Sequence, residues 1–114
     1  MKKYLFLLFF LVGCATTVAP TQTYSPENGV GETMVFGARA VNGLYKDDII
    51  ISINNEDVLF GDITLWRLED NLTGNYQGRD VQAYCYAIND HIKTLTKHFC
   101  TVYIEGNKVV KLSF

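Results

Sequence analysis

An all-β fold is predicted by three observations. Helix signals are nearly absent from Gly29 onward. β-branched and aromatic residues come in short runs punctuated by Asn, Gly and Asp, as in consecutive hairpins. Several of these runs also alternate apolar and polar residues with a strict period of two. The expected architecture is a small antiparallel β-sandwich or partly closed barrel of about 7–8 short strands built from hairpins, the sandwich being preferred.

Taken in order, the segment Ala15 to Asn28 is rich in Thr, Ala, Pro and Ser without a period of 2 or 3.6, and reads as a flexible tether. Strands are expected near Glu32–Ala38, Asp47–Ile53, Asp57–Phe60, Thr64–Leu68, Leu72–Tyr76, Arg79–Tyr86, Lys97–Glu105 and Lys108–Phe114. Asn89–Leu95 is the one stretch with a helical-turn signal, Asn89 capping Asp90, His91 and Ile92. Phe60 and Trp66 are expected to give the core its bulk, with Leu65, Leu68 and Leu72 as candidates to join them, the segment Trp66–Asn71 reading equally as strand or turn. Ile49, Ile51 and Ile53 form one apolar face. Ile50 on the other face predicts a strand covered on both sides.

Parity gives the sharpest expectation. If Cys85 faces the core, so do Val81 and Ala83, and Gln82, Tyr84 and Tyr86 face away. On the next strand Cys100, Val102 and Ile104 go in, while Thr101, Tyr103 and Glu105 go out. Val110, Leu112 and Phe114 form the apolar set of the last strand, opposed by Lys111 and Ser113.

Two segments are alike without gaps: Ser52 to Leu59 and Tyr103 to Val110. Each has a strand ending in Ile, a short polar turn, then two aliphatics. Gly106-Asn107 suits the positive φ of tight hairpin turns and Asn54-Asn55 is the next best choice. The likeness is the nearest the sequence comes to an internal repeat, against the alternative of chance resemblance between two hairpins.

The N-terminus carries an address. Lys2-Lys3 precede an apolar run from Tyr4 to Val12 that closes in Leu11-Val12-Gly13-Cys14. A membrane-crossing helix needs about 20 apolar residues, and this run is too short. It resembles a bacterial lipoprotein export signal with its lipobox. The resemblance covers only the first residues and implies cleavage before Cys14, whose sulfur would carry a diacylglycerol with further acyl chains such as palmitate. It divides the chain into a signal peptide (1–13), a lipidated cysteine and tether (14–29) and an all-β periplasmic domain (30–114). It also implies an oxidising compartment in which Cys85 and Cys100 pair. Closing a loop of about 15 residues removes about 3 kcal/mol of unfolded-state entropy, a large share of the stability of a small domain. The alternative is a pair of buried free thiols.

Composition limits the partners. Removing Lys2 and Lys3 shifts the balance from 10 basic against 12 acidic side chains to 8 against 12. With no Lys/Arg cluster there is no footprint for nucleic acid or for anionic headgroups. Attachment to a membrane therefore falls to the lipid on Cys14, with the outer membrane as the expected destination and the inner membrane or cell surface as alternatives.

No catalytic constellation is legible. Ser25, Ser52 and Ser113 lack an elbow motif, and the two non-lipidated cysteines are expected to be oxidised. His91 and His98 have no metal-binding framework around them and read as a loop histidine and a strand-start histidine. The acidic pairs Asp47-Asp48, Glu56-Asp57 and Glu69-Asp70 read as turn and edge residues. No cofactor and no metal are expected, and the oligomeric state stays open. Tyr84, Tyr86 and Tyr103 share the outward face, with Tyr76 at the adjoining hairpin, and offer stiff contact area for an envelope protein or a glycan. The expected function is a non-catalytic envelope lipoprotein that binds a partner or maintains the envelope. The alternative is an inhibitor or exclusion factor acting on an incoming enzyme or phage component.

Overall fold

The computed structural model describes residues 15–25, 33–43, 45–89 and 96–114. Cys14, His91 and nearly all of the Asn89–Leu95 turn lie outside the described residues. Within them the protein is all-β: nine strands in two antiparallel sheets with no helix. The strands are β1 (Ala15–Val18), β2 (Gln22–Tyr24), β3 (Met34–Asn42), β4 (Lys46–Ile53), β5 (Glu56–Thr64), β6 (Glu69–Tyr76), β7 (Arg79–Asn89), β8 (Thr96–Ile104) and β9 (Asn107–Ser113).

One sheet has the order β1-β3-β4-β5, with β2 also paired to β3. The other is the meander β6-β7-β8-β9. The sheets stack as a sandwich without closing into a barrel, and apolar residues of both inner faces fill the space between them. Parity holds on every strand where it was expected. Ile49, Ile51 and Ile53 are buried, as are Val81, Ala83, Cys85, Cys100, Val102, Ile104, Val110, Leu112 and Phe114.

Several expectations are corrected. The segment read as a tether begins with two strands: Ala15 pairs with Asn42, and Gln22 with Phe36. Among their described side chains Tyr24 alone packs against the core, joined by Ala19 from the connection between them, so the strands give little pattern. The expected Thr64–Leu68 strand does not form. β5 runs through Thr64, and the chain then reverses at Leu65-Trp66, closed by paired backbone hydrogen bonds between Thr64 and Arg67 at 3.0 and 3.2 Å. Trp66 is consequently 77% exposed, and Phe60, on the outer face of β5, is 63% exposed. Neither contributes to the core, and Leu65 and Leu68 are exposed as well. Of the residues expected with them, Leu72 alone is buried. Ile50 is half-buried on that outer face between its cross-strand partners Arg39 and Phe60, and among the described residues no second layer covers it.

The two similar hairpins share a geometry. Asn54 and Asn55 take φ of 50° and 68°, and Glu105 and Gly106 take 50° and 81°. Each hairpin also has a register shift at the equivalent place, between Ile51 and Ser52 and between Val102 and Tyr103. One extra residue on the return strand forms the bulge in each. The expected Gly106-Asn107 pair is displaced by one residue: the two positive φ values fall on Glu105 and Gly106, so glycine fills only the second turn position, whereas Asn54-Asn55 fills both as expected.

Strand ends collect at two ends of the sandwich. At one end lie three polar tips, Asn54-Asn55, Gln77-Gly78 and Glu105-Gly106. Asn54 Nδ2 donates to Tyr76 Oη there at 3.1 Å, linking the sheets. At the other end lie the β3–β4 and β5–β6 connections, where Leu65 N donates to the Tyr45 carbonyl at 3.2 Å.

Candidate functional site

The outer face of the second sheet is built by the residues that parity turns away from the core. Register sets Asn71 opposite Tyr84 and Glu69 opposite Tyr86 across β6 and β7. It sets Thr101 opposite Tyr84 and Phe99 opposite Tyr86 across β7 and β8. The Tyr86 and Phe99 rings stack with centroids 5.2 Å apart at 23°, and Tyr84 lies 5.9 Å from Tyr86, tilted by 32°. Such offset stacking is favourable beyond area burial and holds the rings as one stiff strip. The Tyr84 hydroxyl donates to Glu69 Oε2 at 2.7 Å. That hydrogen bond is the main cause of a Tyr84 phenol pKa raised above its ordinary value, with desolvation and the Glu69 charge adding to it.

Tyr84 and Tyr86 of this strip border an open groove of about 550 Å³, lined also by Ala87, Trp66, Arg67, Leu68 and Glu69. Arg67 is fixed in place: Nη1 donates to the Glu69 carbonyl at 2.9 Å, and the guanidinium pairs with Asp62 and, at 3.2 Å, with Asp70. Asp70 in turn accepts from Asp62 N at 3.1 Å. The groove thus combines aromatic surface with a hydroxyl and a carboxylate already oriented toward each other.

Of the four tyrosines expected on this face, the structure joins Tyr84 and Tyr86. Tyr103 is half-buried on the same face, opposite Gln82 and so one row removed from the strip. Tyr76 leaves the face: it is 6% exposed, and its ring enters the core while its hydroxyl meets Asn54. The reason is parity on β6, where Leu72 and Tyr76 point inward together and Asn71, Thr73 and Asn75 outward. Sequence reasoning missed Phe99 and Trp66. Phe99 was available from the same alternation that placed Thr101 and Tyr103. Trp66 was assigned to the core because of its bulk.

The cysteines expected to pair do so. Cys85 and Cys100 are directly opposed partners on β7 and β8, with Cα atoms 4.1 Å apart and a disulfide between them. Both are buried. His98 is not a surface residue: it is 1% exposed, its Nε2 donates to Asp47 Oδ2 at 3.0 Å, and its ring stacks on Phe114. Asp48, Asp57, Glu69 and Asp70 of the other acidic pairs also have partners. Asp57 takes a two-pronged hydrogen bond from Arg39 at 3.0 and 2.9 Å, which holds its carboxyl below the usual range.

No family model, curated protein or solved structure matches this chain.

Proposed function

We propose that the protein is a non-catalytic envelope lipoprotein, anchored through a lipid on Cys14 at the periplasmic side of the outer membrane, whose outer aromatic face binds an envelope protein or a glycan. The observation that carries this reading is the Tyr84–Tyr86–Phe99 strip with Glu69 holding the Tyr84 hydroxyl, beside an open groove. Aromatic rings with few rotatable bonds give contact area at low entropic cost, and a fixed hydroxyl and carboxylate add directionality. The absence of Lys/Arg clusters from the sequence argues against nucleic acid as the partner.

A binding role is further supported by where the reactive groups are spent. Cys85 and Cys100 are oxidised, and the imidazole of His98 is committed to Asp47 inside the core. The proposal needs no cofactor.

A photo-crosslinking amino acid at position 86 of the full lipidated chain tests the reading in the living cell, with position 60 on the outer face of the first sheet as control. A defined crosslink from position 86 that is absent from position 60, and that is lost with Tyr84→Ser, supports it. Equal capture from both positions contradicts it. A lysozyme or phage component as the crosslinked species identifies the inhibitory alternative.

A further inference from the structure

We infer that the end of the sandwich carrying Tyr45, Leu65, Trp66 and Ile88 seats directly on a lipid bilayer. The inference rests on the lipid-anchored reading above and adds to it an orientation and a second, non-covalent contact.

Turn chemistry supplies the first argument. The three tips at the opposite end, Asn54-Asn55, Gln77-Gly78 and Glu105-Gly106, are polar and take two successive positive φ values. The tip between β5 and β6 carries Leu65-Trp66, neither of which has a positive φ. Nothing in the turn's own geometry calls for an exposed Trp, and Tyr45 beside it is 65% exposed. The backbone bond from Leu65 N to the Tyr45 carbonyl joins the two connections into one platform. Ile88, near the end of β7, and Leu68 extend its exposed apolar surface.

The N-terminus supplies the second. β1 starts at Ala15, which pairs with Asn42, the last residue of β3. That pairing lies at the same end as Tyr45 and Leu65. Cys14 precedes Ala15 by one peptide bond, so their Cα atoms are about 3.8 Å apart. A lipid on Cys14 therefore brings a bilayer to this end and leaves little slack between membrane and fold. Trp and Tyr are the residues that settle at the boundary between headgroups and acyl chains.

Charge decides how the contact works. Among the described residues of this end, Lys46 lies 3.7 Å from Asp48 and 3.9 Å from Asp62, Arg67 is held by Asp62 and Asp70, and Lys97, opposite Ile88, is exposed, so acidic side chains balance or outnumber the basic ones. Apolar insertion rather than attraction to anionic headgroups drives the seating, and added salt leaves it unchanged. Seated this way, the strands rise from the bilayer, the polar tips stand farthest out, the Trp66 and Leu68 side of the groove meets the bilayer, and the Tyr84–Tyr86 strip faces sideways above it toward neighbours in the envelope.

Trp66 is the only tryptophan in the chain and reports the contact directly. The acylated chain is reconstituted into phosphatidylethanolamine and phosphatidylglycerol vesicles, with and without bromine near the glycerol end of the acyl chains. Seating predicts blue-shifted Trp66 emission that bromine at least halves, equally at low and high salt. The combined Tyr45→Ser and Leu65→Ser variant, with the fold checked by circular dichroism, is expected to lose most of that quenching. Acylated chain that floats with the vesicles yet keeps water-like, unquenched Trp66 emission overturns the inference and leaves the anchor standing. A blue shift that depends on protein concentration without vesicles assigns the platform to a second copy and also overturns it. Failure of the anchor is read separately, as an unacylated Cys14 in the mass of the floated chain.

Discussion

His98 on β8 and Asp47 on β4 meet across the sandwich, Nε2 to Oδ2 at 3.0 Å, and tie one sheet to the other near the end where Ala15 enters the fold. The backbone of His98 also exchanges two hydrogen bonds with Phe114, at 2.6 and 2.9 Å, and its ring stacks on the Phe114 ring. A polar group this deeply buried is tolerated because it has a partner, and removing the partner exposes the full desolvation cost. His98→Ala is therefore expected to destabilise the domain by about 2–3 kcal/mol. In a double-mutant cycle with Asp47→Ala, urea unfolding should return a coupling of about 1 kcal/mol. Additive effects of the two substitutions would show that the contact contributes nothing of its own.

The Cys85–Cys100 disulfide joins directly opposed residues of β7 and β8, so the native ladder already holds the two strands together. Its stabilising effect is expected to act on the unfolded chain, by restricting a loop of about 15 residues, at about 3 kcal/mol. Adding a reductant should lower the urea midpoint by a corresponding amount while leaving the β signal in circular dichroism intact at zero denaturant. An unchanged midpoint would place the stability elsewhere.

Close approach of β5 and β6 depends on Gly74. A Cβ there would sit 2.7 Å from the Val58 carbonyl oxygen and 2.9 Å from Leu59 Cδ2, so backbone as well as side chain would have to move. Gly74→Ala is expected to cost about 2–3 kcal/mol. The control is Gly78→Ala, which meets nothing within 4 Å but sits at φ of 79° and should cost about 1 kcal/mol. Thermal or urea unfolding of the pair checks the order of the two effects.

Tyr84 gives a pH-dependent signature of the outer face. The hydrogen bond to Glu69 favours the neutral phenol and raises its pKa above the ordinary value. A raised native value means that this contribution is complete below the unfolded pKa of about 10. It is lost as pH rises through the higher native value. Glu69→Gln removes the carboxylate and should bring the Tyr84 titration back down, as followed by ultraviolet absorbance or by the NMR shift of the phenol carbon. A titration unmoved by the substitution would mean that the hydrogen bond does not control the hydroxyl.

Much of the fold was legible because alternation is a direct consequence of strand geometry. Val81, Ala83 and Cys85 on β7, and Cys100, Val102 and Ile104 on β8, could be assigned to one face before any coordinate was known. The two bulged hairpins were legible as a pair because their turns demand particular residues at fixed offsets. β1 and β2 were hidden because they join the sheet through backbone hydrogen bonds, which leave no period in Thr, Ala and Pro. Trp66 was misplaced because bulk and hydropathy do not distinguish a core residue from one held outside by a tight turn. The salt-bridged Arg67, the Thr64–Arg67 pairing and the Leu65–Tyr45 backbone bond fix that turn, and none of them has a sequence signature. Half of the candidate site followed from parity. Tyr76 was placed against parity: it shares its face on β6 with Leu72, which was expected in the core.

The central claim is that this β-domain is held at a membrane by a lipid on its own first mature residue. Intact mass spectrometry of the chain extracted from envelopes tests it most directly. The account predicts a polypeptide beginning at Cys14, carrying the mass of a diacylglycerol thioether and an amide-linked acyl chain, with Cys85 and Cys100 two hydrogens lighter than the free thiols. A chain beginning at Met1 with an unmodified Cys14 would contradict it.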